Sequence, residues 1–380
     1  MRVVFTGAPL LGHLLPQMPT ARAFHDQGHA VSLMVPESVA KVFAAEEFEI
    51  LPAGADASAL QAEVLRRTGE DVLAGASLGA QLEAFGNARI DLSLAESLAA
   101  ARAWRPDLIV VDPGDVLGPL VAVLLDVPFA TLTYGPEGSE EFRLALTENV
   151  AGQYQSRAAA PRQARWVLDV CPPGLQIDGW QVPDGWLPLR PEAHRAPRDQ
   201  HTPALRTLVG RPRILVTFGT LFTDARRLNP ILRVLAATGA ALRVPVGLTA
   251  SADDFDVDHT AVAFEPFVPM RDLLADIDLA VCHGGAGTVL GVLTAGLPMV
   301  VVPQGADQFL HAERAANAGA AIQLLPDDFT PEALVQAVDT LLSTPAYRSN
   351  ARRIADQIAA MPSPEEVVTT LAAAFVTSQR

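Results

Sequence analysis

Residues 279–308 hold a histidine, a turn with three glycines and an Asp-Gln pair at spacings that could bind an anion. The apolar run 279–282 stops at His283-Gly284-Gly285-Ala286-Gly287-Thr288, and a helical pattern follows through Val289, Leu290, Val292 and Leu293. Glycine lets backbone come close to an anion, and the first N–H groups of a helix point at one. The helix dipole adds about 0.3–1 kcal/mol for a negative group there. His283, at the strand end, could donate to a phosphate oxygen. A second apolar run, 299–302, ends at Pro303 and leads to Asp307-Gln308. No Lys-Ser/Thr follows the glycines, which excludes a P-loop, and the spacing is not that of a dinucleotide fingerprint. A plain tight turn would use the same glycines; the histidine and the Asp-Gln pair favour an anion site.

His13 lies on a glycine loop after the first apolar run, and Asp112 ends another such run, 107–111. His13 could equally pack at a helix start, and Asp112 could cap the next helix or serve the turn with Pro113-Gly114. Asp115 is a rival for Asp112. A carboxylate beside an imidazole fixes its tautomer and raises its proton affinity. Together the two would form a general base for an alcohol, worth about 10²–10⁴ in rate. A base on one wall and a diphosphate cradle on another point to group transfer from a nucleotide diphosphate to a hydroxyl. Dipoles and His283 could stabilise that leaving group without a metal. No acidic pair stands out as a metal site.

The elements that must position these residues follow from composition and pattern. At 380 residues, 49% apolar and 19% charged, the chain is long enough for two domains with large cores. A net charge of −15 disfavours nucleic acid and anionic lipid as partners. Lys41 is the only lysine among 28 basic residues, a skew that speaks to genome composition more than mechanism. Cys171 and Cys282 give neither a disulfide framework nor zinc spacing, which fits a reducing cytoplasm. The N-terminus reads as strand and loop, not as a signal segment, and no apolar run reaches the ~18 residues of a membrane span.

Apolar runs at 2–5, 30–35, 48–51, 107–111, 129–132 and 167–170 alternate with helical patterns, among them an Ala-rich stretch 57–102 broken near Gly69, Gly75, Gly79 and Gly86. A second alternating set starts at 214–218, which ends at Gly219-Thr220, and closes with a helix over 363–376 capped by Ser363. Such alternation predicts parallel doubly wound sheets. Domain boundaries are expected at 1–190, a Pro-rich linker 191–210, and 211–361, with 362–380 as a terminal helix. In open α/β sheets, ligands bind beyond the carboxyl ends of the strands. His13, Asp112, Gly219-Thr220, 283–288 and 303–308 all follow expected strands. Two facing halves would put them on either side of one cleft.

These residues, with the segments GAPLLGHLLPQ, PDLIVVD, VTFGT, FVPMRDLL, HGGAGT and PQGADQF in that order, resemble the nucleotide-sugar glycosyltransferases built from two facing Rossmann-like domains. The narrower likeness is to the bacterial antibiotic-tailoring members of the UDP-glycosyltransferase superfamily (GT-B fold, family 1). The resemblance implies an inverting, metal-independent transfer by a cytoplasmic enzyme. Its donor would be an NDP-sugar acting as co-substrate, with no other cofactor. Its acceptor would be a hydrophobic small molecule, bound near Phe85, Tyr134 and segment 135–165. His13 matches the family's base and Asp112 its orienting carboxylate. Gly219, Thr220, His283, Gly284, Gly285, Ala286, Gly287 and Thr288 match the diphosphate contacts. Phe267 and Val268 match the segment against the nucleotide base, and Asp307 and Gln308 the pair holding donor-sugar hydroxyls. The last helix is expected to return to the first domain, and the protein to be a monomer or homodimer.

Three departures bear on the donor. Plant relatives have a glutamate for the ribose hydroxyls where this chain has Gly291, which is compatible with a dTDP-sugar. The base segment reads Phe267-Val268-Pro269-Met270 in place of Trp-x-Pro-Gln, and the usual Asn after Asp-Gln is replaced near His311. Three other readings compete. One is C-glycosyl transfer on the same scaffold. Another is a sugar-nucleotide epimerase, which needs further carboxylates that are not evident. The last is a catalytically silent partner protein, which would be expected to lack the two histidines.

Overall fold

The structure, a computed structural model, describes residues 1–72, 77–193, 207, 209–210, 212–219, 224–246, 251–266 and 268–377. The chain divides into two compact units. The first comprises Met1–Val170, Gly179–Leu189 and Pro362–Arg380, and the second Cys171–Asp178 and Arg190–Met361. Against the expected first domain 1–190, residues 171–178 belong with the second unit. There the Gly174 amide donates to Gln357 Oε1 at 3.0 Å, and Arg314 donates to the Gln176 carbonyl and to Asp178. Of the expected linker 191–210, most positions lie outside the described residues.

The first unit holds a seven-stranded parallel sheet. Its strands are β1 (Arg2–Phe5), β2 (Ala30–Val35), β3 (Glu49–Pro52), β4 (Leu108–Val111), β5 (Phe129–Leu132), β6 (Trp166–Asp169) and β7 (Trp186–Pro188). They lie in the order β3-β2-β1-β4-β5-β6-β7. Helices α1 (Leu11–Leu14), α2 (Met18–Asp26), α3 (Glu37–Ala40), α4 (Ala57–Thr68), α5 (Leu78–Phe85), α6 (Asn87–Trp104), α7 (Leu117–Leu125), α8 (Glu140–Asn149) and α9 (Ala151–Gln155) connect them. The central strands are buried on both faces, so they read as unbroken apolar runs such as Leu-Ile-Val-Val over Leu108–Val111. Strand β7 was not expected. It is a three-residue edge strand in a Pro/Gly-rich segment, secured by Trp186 Nε1 donating to Asp169 at 3.0 Å.

The second unit holds a six-stranded parallel sheet, order β10-β9-β8-β11-β12-β13. Its strands are β8 (Arg213–Thr217), β9 (Ala241–Pro245), β10 (Val262–Glu265), β11 (Leu279–Cys282), β12 (Met299–Val301) and β13 (Ala321–Gln323). Its helices are α10 (Ala225–Ala237), α11 (Met270–Leu273), α12 (Ala286–Thr294), α13 (Gln308–Asn317), α14 (Pro331–Ser343) and α15 (Pro345–Ala359). Ile214, Val216, Leu232, Leu242, Leu279, Val281 and Leu334 form its fully buried centre. The last helix, α16 (Pro364–Thr377), belongs to the first unit, where it packs on α2. Ser363 and Glu366 form a capping box at its start, and Val368 and Leu371 are fully buried. Both sheets are doubly wound, so each unit is Rossmann-like.

Candidate active site

Each sheet reverses its strand order once, and loops leaving the two strands at that point are forced together. In the first unit those strands are β1 and β4, paired in parallel with Phe5 opposite Val110. The chain leaving β1 carries His13 and that leaving β4 carries Asp112, so residues far apart in sequence meet. His13 Nδ1 lies 3.0 Å from Asp112 Oδ1. His13 was expected in a loop; it stands instead on the short helix α1. There its N–H bonds to the Leu10 carbonyl, and Gln17 Nε2 holds its own carbonyl at 3.1 Å.

Asp112 is buried and receives three donors: His13, the Gly114 amide at 2.8 Å and the Ala8 amide at 2.9 Å. Burial alone would raise its carboxyl. The charge and hydrogen bond of His13, the Ala8 amide and the charge of Arg89 outweigh that and hold it below the ordinary carboxylate range. An ionised carboxylate only accepts, so His13 Nδ1 donates and Nε2 carries the lone pair. That is the tautomer a base needs. Gly7 admits no side chain here, since a Cβ would stand 2.4 Å from Asp112 Oδ2. Asp115, the rival, plays a different part. It caps α7 through the Leu117 and Gly118 amides and pairs with Arg89.

Aromatic rings surround His13. Tyr134 meets it edge-on with centroids 5.2 Å apart, and Phe85 lies at 5.9 Å. Phe142, from α8 in segment 135–165, meets Phe85 edge-on at 6.2 Å.

In the second unit the reversal falls between β8 and β11, with Thr217 opposite Cys282. His283 leaves β11, stacks on Phe218 with centroids 6.2 Å apart, and is 7% exposed. Two glycines enclose its ring. A Cβ on Gly219 would meet the ring at 2.8 Å, and one on Gly285 at 2.5 Å. Gly219 and Gly284 also take positive φ, +72° and +92°, which glycine tolerates. Burial pushes the His283 imidazole down to about 4, against a hydrogen bond to the Thr217 backbone and the charge of Asp307, with His311 adding to the fall. The ring is neutral at physiological pH. Helix α12 starts at Ala286 with Gly285 as its cap. A helix start leaves its first amides without intrahelical acceptors, so those of Ala286 and Gly287 remain for an anion. Thr288 is buried in the same turn.

Asp307 follows Ala306, a non-glycine residue at φ +54°, and its side chain is 41% exposed. Gln308 is buried and its Oε1 accepts from the Gln304 amide at 2.8 Å, which fixes the side-chain amide and leaves its NH₂ group as a donor for a ligand. His311, near the position where the family's Asn is replaced, is buried and its Nδ1 donates to the Gly284 carbonyl at 2.9 Å. It therefore braces the glycine turn from below. Val268 is 6% exposed. Gly291 lies beneath Met270, whose Cγ would be 2.8 Å from a Cβ there. Thr220 and Phe267 lie outside the described residues. No group of three or more His, Cys, Asp or Glu side chains is placed to hold a metal among the described residues. Nor is any described helix long and apolar enough to cross a membrane.

Sequence reasoning missed Arg89, Gln17 and His311. The only signal for Arg89 was a charged residue on the helix face that carries Ile90, Ser93 and Ser97 inward.

Comparison with known proteins finds a family model matching largely within each of the two units. The N-terminal domain model of the erythromycin biosynthesis protein CIII-like family matches residues 20–182, and its C-terminal domain model matches 254–374. The L-demethylnoviosyl transferase of Streptomyces niveus is 29% identical over 400 residues, covering 98% of each chain. The elloramycin glycosyltransferase ElmGT of Streptomyces olivaceus is 29% identical over 99% of this chain and 98% of its own. Among solved structures, the spinosyn rhamnosyltransferase SpnG superposes with TM-score 0.80 in complex with spinosyn aglycone and 0.76 with thymidine diphosphate. Identity is 24% and 25%, covering 98% of this chain and 100% of that one. Family models on both units and relatives matched along their whole length place the chain in the family of bacterial natural-product glycosyltransferases with the GT-B fold, family 1, and make it a sugar-transferring enzyme.

Proposed function

We propose that the enzyme moves a deoxysugar from a dTDP donor to a hydroxyl of a hydrophobic natural-product aglycone, inverting the anomeric carbon without a metal or further cofactor. The observation that carries this reading is the His13–Asp112 bond set among Phe85, Tyr134 and Phe142. Aromatic walls suit an apolar acceptor, and the bonded imidazole suits removal of its hydroxyl proton. In the step, His13 Nε2 takes that proton and the acceptor oxygen bonds to the anomeric carbon. The bond from that carbon to the diphosphate breaks, and its electron pair leaves with the diphosphate. Asp112 stabilises the imidazolium so formed. Gly219, Thr220, the Ala286 and Gly287 amides, His283 and Thr288 hold the diphosphate, while Asp307 and the Gln308 amide hold sugar hydroxyls. Phe267 and Val268 flank the base.

Two observations support a thymidine donor. SpnG has been solved with thymidine diphosphate. In this chain the position of the plant glutamate is a glycine crowded by Met270, an apolar setting that suits a sugar without a 2′-hydroxyl.

The test is to incubate the purified enzyme with dTDP- and UDP-sugars, aromatic or macrolide acceptors, and EDTA. An O-glycoside of inverted configuration by NMR, formed faster from dTDP donors and unaffected by EDTA, is expected. Retention of configuration, or activity abolished by the chelator, would overturn the mechanism; equal use of UDP would overturn the donor assignment.

A further inference from the structure

Behind the His13–Asp112 pair lies a buried ionic cluster that the mechanism above does not use. Arg89, on α6, is 4% exposed, Asp112 1% and Asp115 4%. Arg89 Nη2 donates to the Gly7 carbonyl at 2.6 Å and to Asp115 Oδ1 at 2.8 Å, and its Nε reaches the same oxygen at 3.2 Å. The Gly7 carbonyl and the Ala8 N–H belong to one peptide group, and in a trans peptide they point in opposite directions. The Ala8 N–H is the donor to Asp112 Oδ2 at 2.9 Å. One peptide thus links the guanidinium to the carboxylate. Arg89 fixes the plane of that peptide, and polarising its carbonyl strengthens the N–H on the far side.

We propose that Arg89 is a positioning residue for the transfer, aligning Asp112 through the Gly7–Ala8 peptide and supplying the charge that leaves His13 neutral until it takes the acceptor's proton. This rests on the reading of His13 as base. Burial, and after it the charge of Asp112, pushes the Asp115 carboxyl up, against the charge and hydrogen bonds of Arg89 and the Leu117 amide. It nevertheless receives four hydrogen bonds, two from Arg89 and one each from the Leu117 and Gly118 amides, and a carboxyl that only accepts from four donors is held ionised. Two buried carboxylates then face one guanidinium, an excess of one negative charge. His13 supplies the missing positive charge when it accepts the proton, so the cluster is balanced during transfer. Among the described residues, two tyrosines also lie at this cluster. Tyr134 touches the His13 ring, and the Tyr154 hydroxyl is pushed up to about 12 by burial and then by the charge of Asp115, so it stays neutral. Without Arg89 the excess is two negative charges, which favours the protonated imidazole before the acceptor arrives.

The test is the pH profile of kcat for Arg89→Met and Arg89→Lys, with donor KM measured alongside. Arg89→Met should lower kcat at neutral pH at least tenfold, leave donor KM within twofold, and move the acidic limb of the profile upward by roughly one pH unit, the shift that about 1.4 kcal/mol of lost charge balance gives. Arg89→Lys keeps the charge and loses the fork. It should keep the limb within a few tenths of a unit of wild type at a reduced kcat. A limb unmoved in Arg89→Met, with only stability lost, would overturn the proposal and mark a purely structural arginine. If Arg89→Met does not fold, Arg89→Lys decides, and an unchanged kcat overturns the proposal. A His13→Ala enzyme with wild-type transfer would instead overturn the underlying reading, so the two failures are distinct.

Discussion

Glycines 285 and 287 stand two residues apart at the start of α12, and replacing each with alanine should have opposite consequences. Gly285 has φ −60°, so alanine fits its backbone, yet the new Cβ would lie 2.5 Å from His283 Nε2. That ring cannot retreat, because Phe218 stacks on it and Gly219 closes around it. Overpacking of this kind costs about 1–3 kcal/mol. At roughly 2–4 °C per kcal/mol for a unit of this size, Gly285→Ala should lower Tm by several degrees. At Gly287 a Cβ would meet nothing within 4 Å. Alanine inside a helix is about 0.5–1 kcal/mol better than glycine, so Gly287→Ala should raise Tm by one to a few degrees. The fold therefore does not require glycine at 287; the proposed ligand does. A Cβ tilts toward the helix N-terminus, into the space before the first amides. Losing one charge-assisted hydrogen bond from phosphate costs about 1.5–3 kcal/mol, a loss of roughly tenfold to a hundredfold in affinity. Calorimetric titration of dTDP into Gly287→Ala, beside a melting curve, reads both effects. A stabilised protein that binds dTDP like wild type would refute the diphosphate cradle. A destabilised one would refute the claim that the fold leaves this position open.

Other perturbations follow from the same geometry. Asp112→Asn keeps the shape but offers one acceptor to donors that now approach both oxygens. His13 should turn to the tautomer with its proton on Nε2, and kcat should fall by about 10³–10⁴ with donor affinity unchanged, as wrong-tautomer substitutions do in hydrolytic triads; a loss under tenfold would remove Asp112 from the mechanism. His283, neutral with its ring held near 4, should take up a proton when the diphosphate arrives. The dTDP affinity should therefore rise as pH falls from 7 to 5, with net proton uptake in buffers of different ionisation enthalpy, and a pH-independent affinity would contradict this. The same group sets a folding trend. Its folded value lies below the 6.5 of the unfolded chain, so stability is full above pH 6.5 and declines toward pH 4, by up to about 3 kcal/mol. That decline should vanish in a folded His283→Asn protein, and its persistence would assign it to other groups.

The architecture was legible where physics leaves a local trace. Parallel strands buried on both faces leave short apolar runs, and 30–35, 129–132 and 279–282 coincide with β2, β5 and β11. A cap was equally visible: Ser363, expected to cap the last helix, accepts from the Glu366 amide. Elements held by tertiary contacts were not. Strand β7 is three residues long and depends on Trp186 reaching Asp169. Helix α1 has four residues with a proline soon after, so its stretch reads as a turn. Segment 171–178 joins the second unit through Gln357 and Arg314, over 100 residues away in sequence. The pairing of His13 with Asp112 was suggested by residue type and resemblance, and strand order, which puts β1 beside β4, is what brings the two together. Arg89 lay beyond reach, since its role depends on the direction of a single peptide group.

The account stands on His13 as the base that removes the acceptor's proton. Its most direct test is the ratio of wild-type to His13→Ala transfer rates across phenolic acceptors of graded acidity, at saturating donor. A base matters most for a weakly acidic hydroxyl and not at all for one already ionised. The ratio should fall from about 10²–10⁴ for the least acidic phenol toward one for the most acidic, with dTDP affinity unchanged by the substitution. A ratio near one for every acceptor, or a constant large ratio regardless of acidity, would contradict the account.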